Sequence, residues 1–119
     1  MRCIIAGSRT ITQNKYLLEA IKCSGFTISE IVSGTANGAD KLGEQYANDH
    51  SIPIKQFYPN YNKYRRIAPI VRNSEMSKYG DCLIALWNGT SKGTKNMINL
   101  MVKLKKPVYV HICGGEPTE

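Results

Sequence analysis

Short apolar runs alternate along the chain with longer stretches whose apolar residues recur every three or four positions. Cys3, Ile4, Ile5 and Ala6, closed by Gly7, read as a buried strand. Ile11, Tyr16, Leu17, Leu18, Ala20 and Ile21 give an amphipathic helix over 11–23 that opens at Thr12 and ends at Gly25. A second strand is predicted over 28–32. A helix over 39–49 follows, with Leu42, Tyr46 and Ala47 on one face. After Pro53 comes a third strand over 54–58, and 59–66 reads as irregular. A helix starts near Pro69, since proline suits a first turn, and runs to about Tyr79. The wholly apolar 82–87 is a fourth strand, 94–104 a helix carrying Met97, Ile98, Met101 and Val102, and 107–112 a fifth strand.

This order is βαβαβαβαβ. Strands that are continuous apolar runs and alternate with helices belong to a parallel sheet covered on both faces. The predicted fold is therefore α/β: one three-layer domain over 1–113, with a mostly parallel five-stranded sheet and helices on both faces, and a tail over 114–119. In such sheets, ligands bind outside the carboxyl ends of the strands, at the topological switch point.

Three loops leave strand carboxyl ends with glycine and hydroxyl residues, and all three open on the same sheet edge. Gly7-Ser8-Arg9 brings a guanidinium suited to a bidentate grip on phosphate or carboxylate, or to a rim ion pair with Asp40. Ser33-Gly34-Thr35-Ala36-Asn37-Gly38-Ala39-Asp40 is rich in small residues, and Gly34 and Gly38 permit positive φ or close approach to a ligand. It reads either as an anion cradle at a helix start or as a plain turn in which Ser33 or Asn37 caps the helix. Asp40, at the helix start, complements the dipole, accepts ribose hydroxyls or acts as a base. Asn88, Gly89, Thr90, Ser91, Gly93 and Thr94 form the third loop, with Thr94 the expected N-cap. It is neither a Walker A loop nor GxGxxG.

The chain has 119 residues and a net charge of +7, which favours phosphate-bearing or polyanionic partners. Lys103, Lys105 and Lys106 supply part of that charge at a predicted helix end, where cations complement the dipole. Phe57 to Arg66 interleaves aromatics with cations, which fits a surface loop, a lid over a small nucleotide, or a single-stranded nucleic-acid contact. No apolar run approaches the ~20 residues of a membrane span, and the N-terminus lacks the features of a secretory signal, so a cytoplasmic location without membrane contact is expected. The four cysteines, Cys3, Cys23, Cys82 and Cys113, fit no metal spacing and read as free, mostly buried thiols. His50 and His111 stand far apart, and neither a metal nor a cofactor is expected.

At Gly7-Ser8-Arg9, the Ser33 to Asp40 loop, Arg72-Asn73-Ser74-Glu75-Met76 and Gly89-Thr90-Ser91-Lys92-Gly93-Thr94, the chain resembles the SLOG superfamily. The likeness is to its small single-domain YspA-related branch in bacteria and their phages, and it extends from Met1 to about Ile112. It implies a Rossmann-like fold and a pocket for nucleotides or nucleotide-derived signals, of ADP-ribose or cyclic type. It also raises Arg72 and Asn73 to site residues. Thr35 stands where the branch usually has a second glycine. Met97 stands where the LOG-type phosphoribohydrolases of the superfamily carry the glutamate used in glycosidic cleavage.

The expected role is capture of a small nucleotide-type ligand by a sensor or sequestering protein, as monomer or homo-oligomer. The alternatives are a hydrolase acting on a ribosyl or phosphate linkage, with Asp40 as base or nucleophile, and a single-stranded nucleic-acid binder.

Overall fold

A computed structural model of the chain describes residues 1–113; the predicted tail over 114–119 lies outside the described residues. The elements follow in the order β1 (Arg2–Gly7), α1 (Asn14–Ser24), β2 (Glu30–Ser33), α2 (Ala39–Asp49), β3 (Ile54–Gln56), α3 (Tyr61–Tyr64), a 3-10 turn (Arg65–Ile67), α4 (Ala68–Tyr79), β4 (Cys82–Trp87), α5 (Lys92–Lys103) and β5 (Val108–Ile112). The five strands are all parallel and lie in the order β3-β2-β1-β4-β5. The chain winds outward from β1 to β3, then crosses back to start β4 on the other side of β1. The switch point therefore falls between β1 and β4, and the loops after both strands open on one edge.

The apolar strands hide an alternation. Cys3 and Ile5 of β1 face the cluster of Leu17, Ala20, Ala39 and Ala47 from α1 and α2. Ile4 faces Met76, Met97 and Met101 from α4 and α5. Both faces of a central parallel strand are covered by helices, so the polar half of the usual strand pattern disappears.

Several boundaries differ from the sequence pattern. The helix expected from Thr12 starts at Asn14, and Ile11 is buried in the core ahead of it. The third strand stops at Gln56. The stretch expected to be irregular contains α3, where the Asn60 side chain caps the Lys63 N–H at 3.1 Å. The last helix starts at Lys92, and its N-cap is Ser91 in place of Thr94. Ser91 accepts both the Thr94 N–H and the Thr94 hydroxyl, which draws the helix start forward. Cys3, Cys82 and Cys113 are buried and Cys23 is exposed, and none is in a disulfide. Among the described residues no helix is long and apolar enough to cross a membrane.

The backbone N–H of Lys106 closes α5 on the Met101 carbonyl at 3.0 Å, while its side chain serves a different helix. Its ammonium donates to the carbonyls of Ser77 and Gly80 at 2.8 Å and of Lys78 at 3.2 Å, closing the end of α4. These are carbonyls that the helix itself leaves unpaired. Lys106→Met is expected to lower the unfolding free energy by about 2 kcal/mol. Urea denaturation measures this, and a loss no larger than that of Lys105→Met would refute the capping role.

Candidate functional site

Ser8 ties the three loops together. Its N–H donates to the Leu86 carbonyl at 3.0 Å, and its hydroxyl accepts the Asn88 N–H at 3.2 Å, joining the loops after β1 and β4. Its carbonyl accepts the N–H of Ala39 at 3.3 Å, the first residue of α2. A buried hydroxyl with both neighbours fixed in this way makes one rigid rim from separate segments.

The loop after β2 departs from expectation. Positive φ falls on Thr35 (φ 68) and Gly38 (φ 77), and Gly34 is not among the positive-φ residues. A β-branched residue in the left-handed region costs about 1–2 kcal/mol. Thr35 is held there by its N–H on the Ser33 hydroxyl at 3.1 Å and by its own hydroxyl on the Gly34 carbonyl. Neither Ser33 nor Asn37 caps α2; the N-cap is Gly38, which makes no side-chain bond. The Ser33 hydroxyl donates to Glu44 instead, at 2.7 Å. Gly34 earns its place by close approach: a Cβ there would lie 2.9 Å from an Arg72 guanidinium nitrogen and 3.0 Å from Asp40 Oδ2.

Asp40 accepts the Ala36 N–H at 3.0 Å and so braces the loop in front of its own helix. Arg72 is its charge partner, in place of the expected rim pair with Arg9. Burial pushes the Asp40 carboxyl up to about 6, against the pull of the Ala36 N–H and the Arg72 charge. Arg72 reaches across from α4 to donate to the Gly34 carbonyl, and its Nε donates to Asn73 Oδ1 at 3.1 Å. Asn73 in turn donates to Asn96 Oδ1 at 3.0 Å and to the Gly93 carbonyl at 3.4 Å. The Arg72-Asn73 pair thus bridges the loop after β2 to the start of α5. Burial holds the Arg72 guanidinium below its ordinary value, and the nearby positive charge of Arg9 lowers it further.

These loops enclose a cavity of about 370 Å³. Of the residues predicted from sequence, Gly7, Ser8, Arg9, Gly34, Ala36, Asp40, Arg72, Asn73, Asn88, Ser91, Gly93 and Thr94 line it. Ser33, Thr35, Asn37, Gly38, Gly89 and Thr90 do not, although hydrogen bonds to Ser33 and Asn88 shape their loops. The Asn88 side chain, for example, accepts the N–H groups of Thr90 at 2.9 Å and Ser91 at 3.0 Å. Ala6, Thr10, Pro69, Met76 and Met97 also line the cavity and were not anticipated. Met97 is buried and apolar. Asp40 is the carboxylate in the cavity wall. Trp87 spends its indole N–H on the Ser91 carbonyl at 3.1 Å.

Glu44 is a residue the sequence reading missed. It accepts from Ser33, from Gln56 at 3.1 Å and from Lys41 at 3.3 Å, fixing the end of β2 to α2 and β3. Burial raises its carboxyl, but those hydrogen bonds outweigh burial and leave it below the usual carboxylate range. Its spacing of four from Asp40, on one helix face, was the available signal.

The raised Asp40 carboxyl sets a pH dependence. Its folded value, about 6, lies above the ordinary 3.8, so the native state holds more protons than the unfolded state between those limits. The associated stability is complete below about pH 4 and is lost as pH rises through 6. Its size is about 3 kcal/mol. Asp40→Asn keeps an acceptor for Ala36 without the charge. Measured by urea unfolding from pH 4 to 7.5, the variant should gain on the wild type by about that amount as pH rises. A difference that stays constant over this range would count against a buried, titrating Asp40.

The histidines stand apart from the cavity: His50 stacks on Tyr46 at 4.0 Å between ring centres, and His111 lies 3.5 Å from Glu19. Among the described residues, no group of histidine, cysteine, aspartate and glutamate is arranged to hold a metal ion. In comparison with known proteins, the chain matches no family model and no curated sequence.

Proposed function

We propose that the chain binds a nucleotide or nucleotide-derived molecule, of ADP-ribose or cyclic type, as a sensor or sequestering protein. The observation that carries this reading is the convergence of Arg9 and Arg72 on one cavity at the carboxyl edge of the sheet. The two guanidiniums are close enough to repel each other, and an anion bound between them would offset that repulsion. Asp40 supplies an opposite charge near Arg72, and the exposed Arg9 side chain has no hydrogen-bond or ion-pair partner among the described residues. A phosphate would supply that anion, with bidentate geometry on Arg9 and with Ser91, Gly93 and Thr94 at the start of α5 lining the same cavity. The cavity volume suits a mononucleotide-sized ligand. The resemblance to the SLOG superfamily points the same way. On this reading the protein works in the cytoplasm, as a homodimer or higher homo-oligomer.

The test is a thermal-shift series with mononucleotides, cyclic nucleotides, ADP-ribose and a short single-stranded oligonucleotide, with mass spectrometry of each mixture afterwards. A ligand at 100 times its dissociation constant adds about 2.7 kcal/mol of stability. A small nucleotide that stabilises the chain and is recovered intact supports capture. Stabilisation by the oligonucleotide alone would refute it.

Hydrolysis is the second reading, because a buried carboxyl held at about 6 in the cavity wall is matched to proton transfer near neutral pH. Recovery of a cleaved nucleotide, abolished in Asp40→Asn with binding retained, would establish it.

A further inference from the structure

Helix α4 presents two different faces at its N-terminal half. Pro69, Arg72, Asn73 and Met76 line the cavity described above. Ala68, Val71, Arg72 and Glu75 line a second cavity, of about 260 Å³, roofed by Tyr58, Asn60, Lys63 and Tyr64. Both sets follow helical spacing, and Arg72 belongs to each. The two cavities are separate but adjoin at Arg72, which lines both.

Its chemistry differs from that of the first. The ring of Tyr58 is 66 % exposed, yet its hydroxyl is fixed on Gln56 Oε1 at 3.2 Å, which holds the ring as a bare platform. Glu75 has no hydrogen-bond or ion-pair partner among the described residues, and its carboxylate is the acceptor in a lining that also holds Lys63 and Arg72. Asn60 spends its side-chain oxygen on the Lys63 N–H, which leaves its amide NH₂ to donate. An aromatic platform, an unpartnered carboxylate and an amide donor complement a flat ring carrying adjacent N–H donors beside a carbonyl. Guanine has that edge, with N1–H and N2–H next to O6. Adenine presents the reverse, a donor beside an acceptor nitrogen.

We propose that this second cavity is a base subsite: guanine stacks on Tyr58 and donates its N1–H and N2–H edge to Glu75, while the phosphate of the same nucleotide lies on Arg9 and Arg72. The inference rests on the nucleotide-binding reading of the first cavity. It also gives the aromatic and basic stretch around α3 a role in recognising one small ligand.

Calorimetric titration of the full chain with GMP, AMP and ribose 5-phosphate tests it. GMP should bind about tenfold more tightly than AMP, and further above ribose 5-phosphate. Glu75→Gln should remove the preference for GMP, and Tyr58→Ala should weaken GMP and AMP alike. Neither variant should alter binding of ribose 5-phosphate. Both side chains lie on the surface, so both variants should fold. Ribose 5-phosphate binding as tightly as GMP, or equal affinity for GMP and AMP, would overturn the base subsite and leave the phosphate site standing. Failure of all three probes to bind would remove both.

Discussion

Arg72→Met is expected to weaken nucleotide binding about a hundredfold and to destabilise the protein most at neutral pH. The binding loss follows from geometry. Arg72 lies at the junction of both cavities, and charge-assisted bidentate contacts are among the strongest a polar site offers. The stability loss has a separate cause. Arg72 donates to the Gly34 carbonyl and supplies the positive charge facing buried Asp40. Methionine fills most of the volume and supplies neither. Losing a charge-assisted hydrogen bond to a part-buried carbonyl, together with the positive charge near Asp40, sets the expectation at about 2 kcal/mol. Without Arg72 the Asp40 carboxyl moves further above 6, since that charge is one of the influences holding it down. Below its value Asp40 is neutral and needs no partner. The penalty should therefore be larger at pH 7.5 than at pH 5. Urea unfolding at both values measures it, and an equal penalty would show that Arg72 acts through packing alone. Nucleotide affinity unchanged in Arg72→Met would remove the proposed phosphate site.

Gly7→Ala is expected to cost about 3 kcal/mol or more, a large share of the 5–15 kcal/mol that keeps a domain folded. Gly7 ends β1 and pairs with Leu86 of β4. A Cβ placed on it would overlap the Leu86 carbonyl and stand 2.8 Å from the Ala39 Cβ at the start of α2. The Leu86 carbonyl already receives the Ser8 N–H, and Ala39 is held by its own N–H on the Ser8 carbonyl. No neighbour is the free end of a flexible side chain, so the strain must move backbone, which puts it at the costly end of overpacking. Gly93→Ala is the control. A Cβ at Gly93 meets nothing within 4 Å, and the residue sits in the first turn of α5 without positive φ. Its stability should be unchanged or slightly raised. Denaturation curves for the pair distinguish the two, and equal losses would show that close helix–strand approach is not what Gly7 provides.

The two glycines look alike in sequence, each inside a loop of small residues that leaves a strand. That likeness marks the limit of what the chain reveals before it folds. The succession of strands and helices was legible because apolar spacing depends on local geometry, a period of two for strands and near 3.6 for helices. The parallel sheet followed, since wholly apolar strands such as 82–87 require cover on both sides. So did the edge that carries the site, because the loops after β1, β2 and β4 must open together once the strands run parallel. The sequence alone therefore determined the architecture and most of the cavity wall.

Partners across distance were decided only by tertiary structure. Asp40 and Arg72 are 32 positions apart, and nothing in their local pattern distinguishes this pairing from one with Arg9. Only the crossing of α4 over the loop after β2 brings them together, and burial there sets the Asp40 carboxyl at about 6. Lys106 closes α4, although it stands at the end of α5. The Thr35 conformation is held locally, by Ser33 and Gly34, whereas Gly38 is set by tertiary packing, since the Ser8 and Arg9 carbonyls fill the space beside it. Period and composition specify which elements form and which way they face. Long-range contact specifies which charges meet, how dry they are, and hence what chemistry they can support.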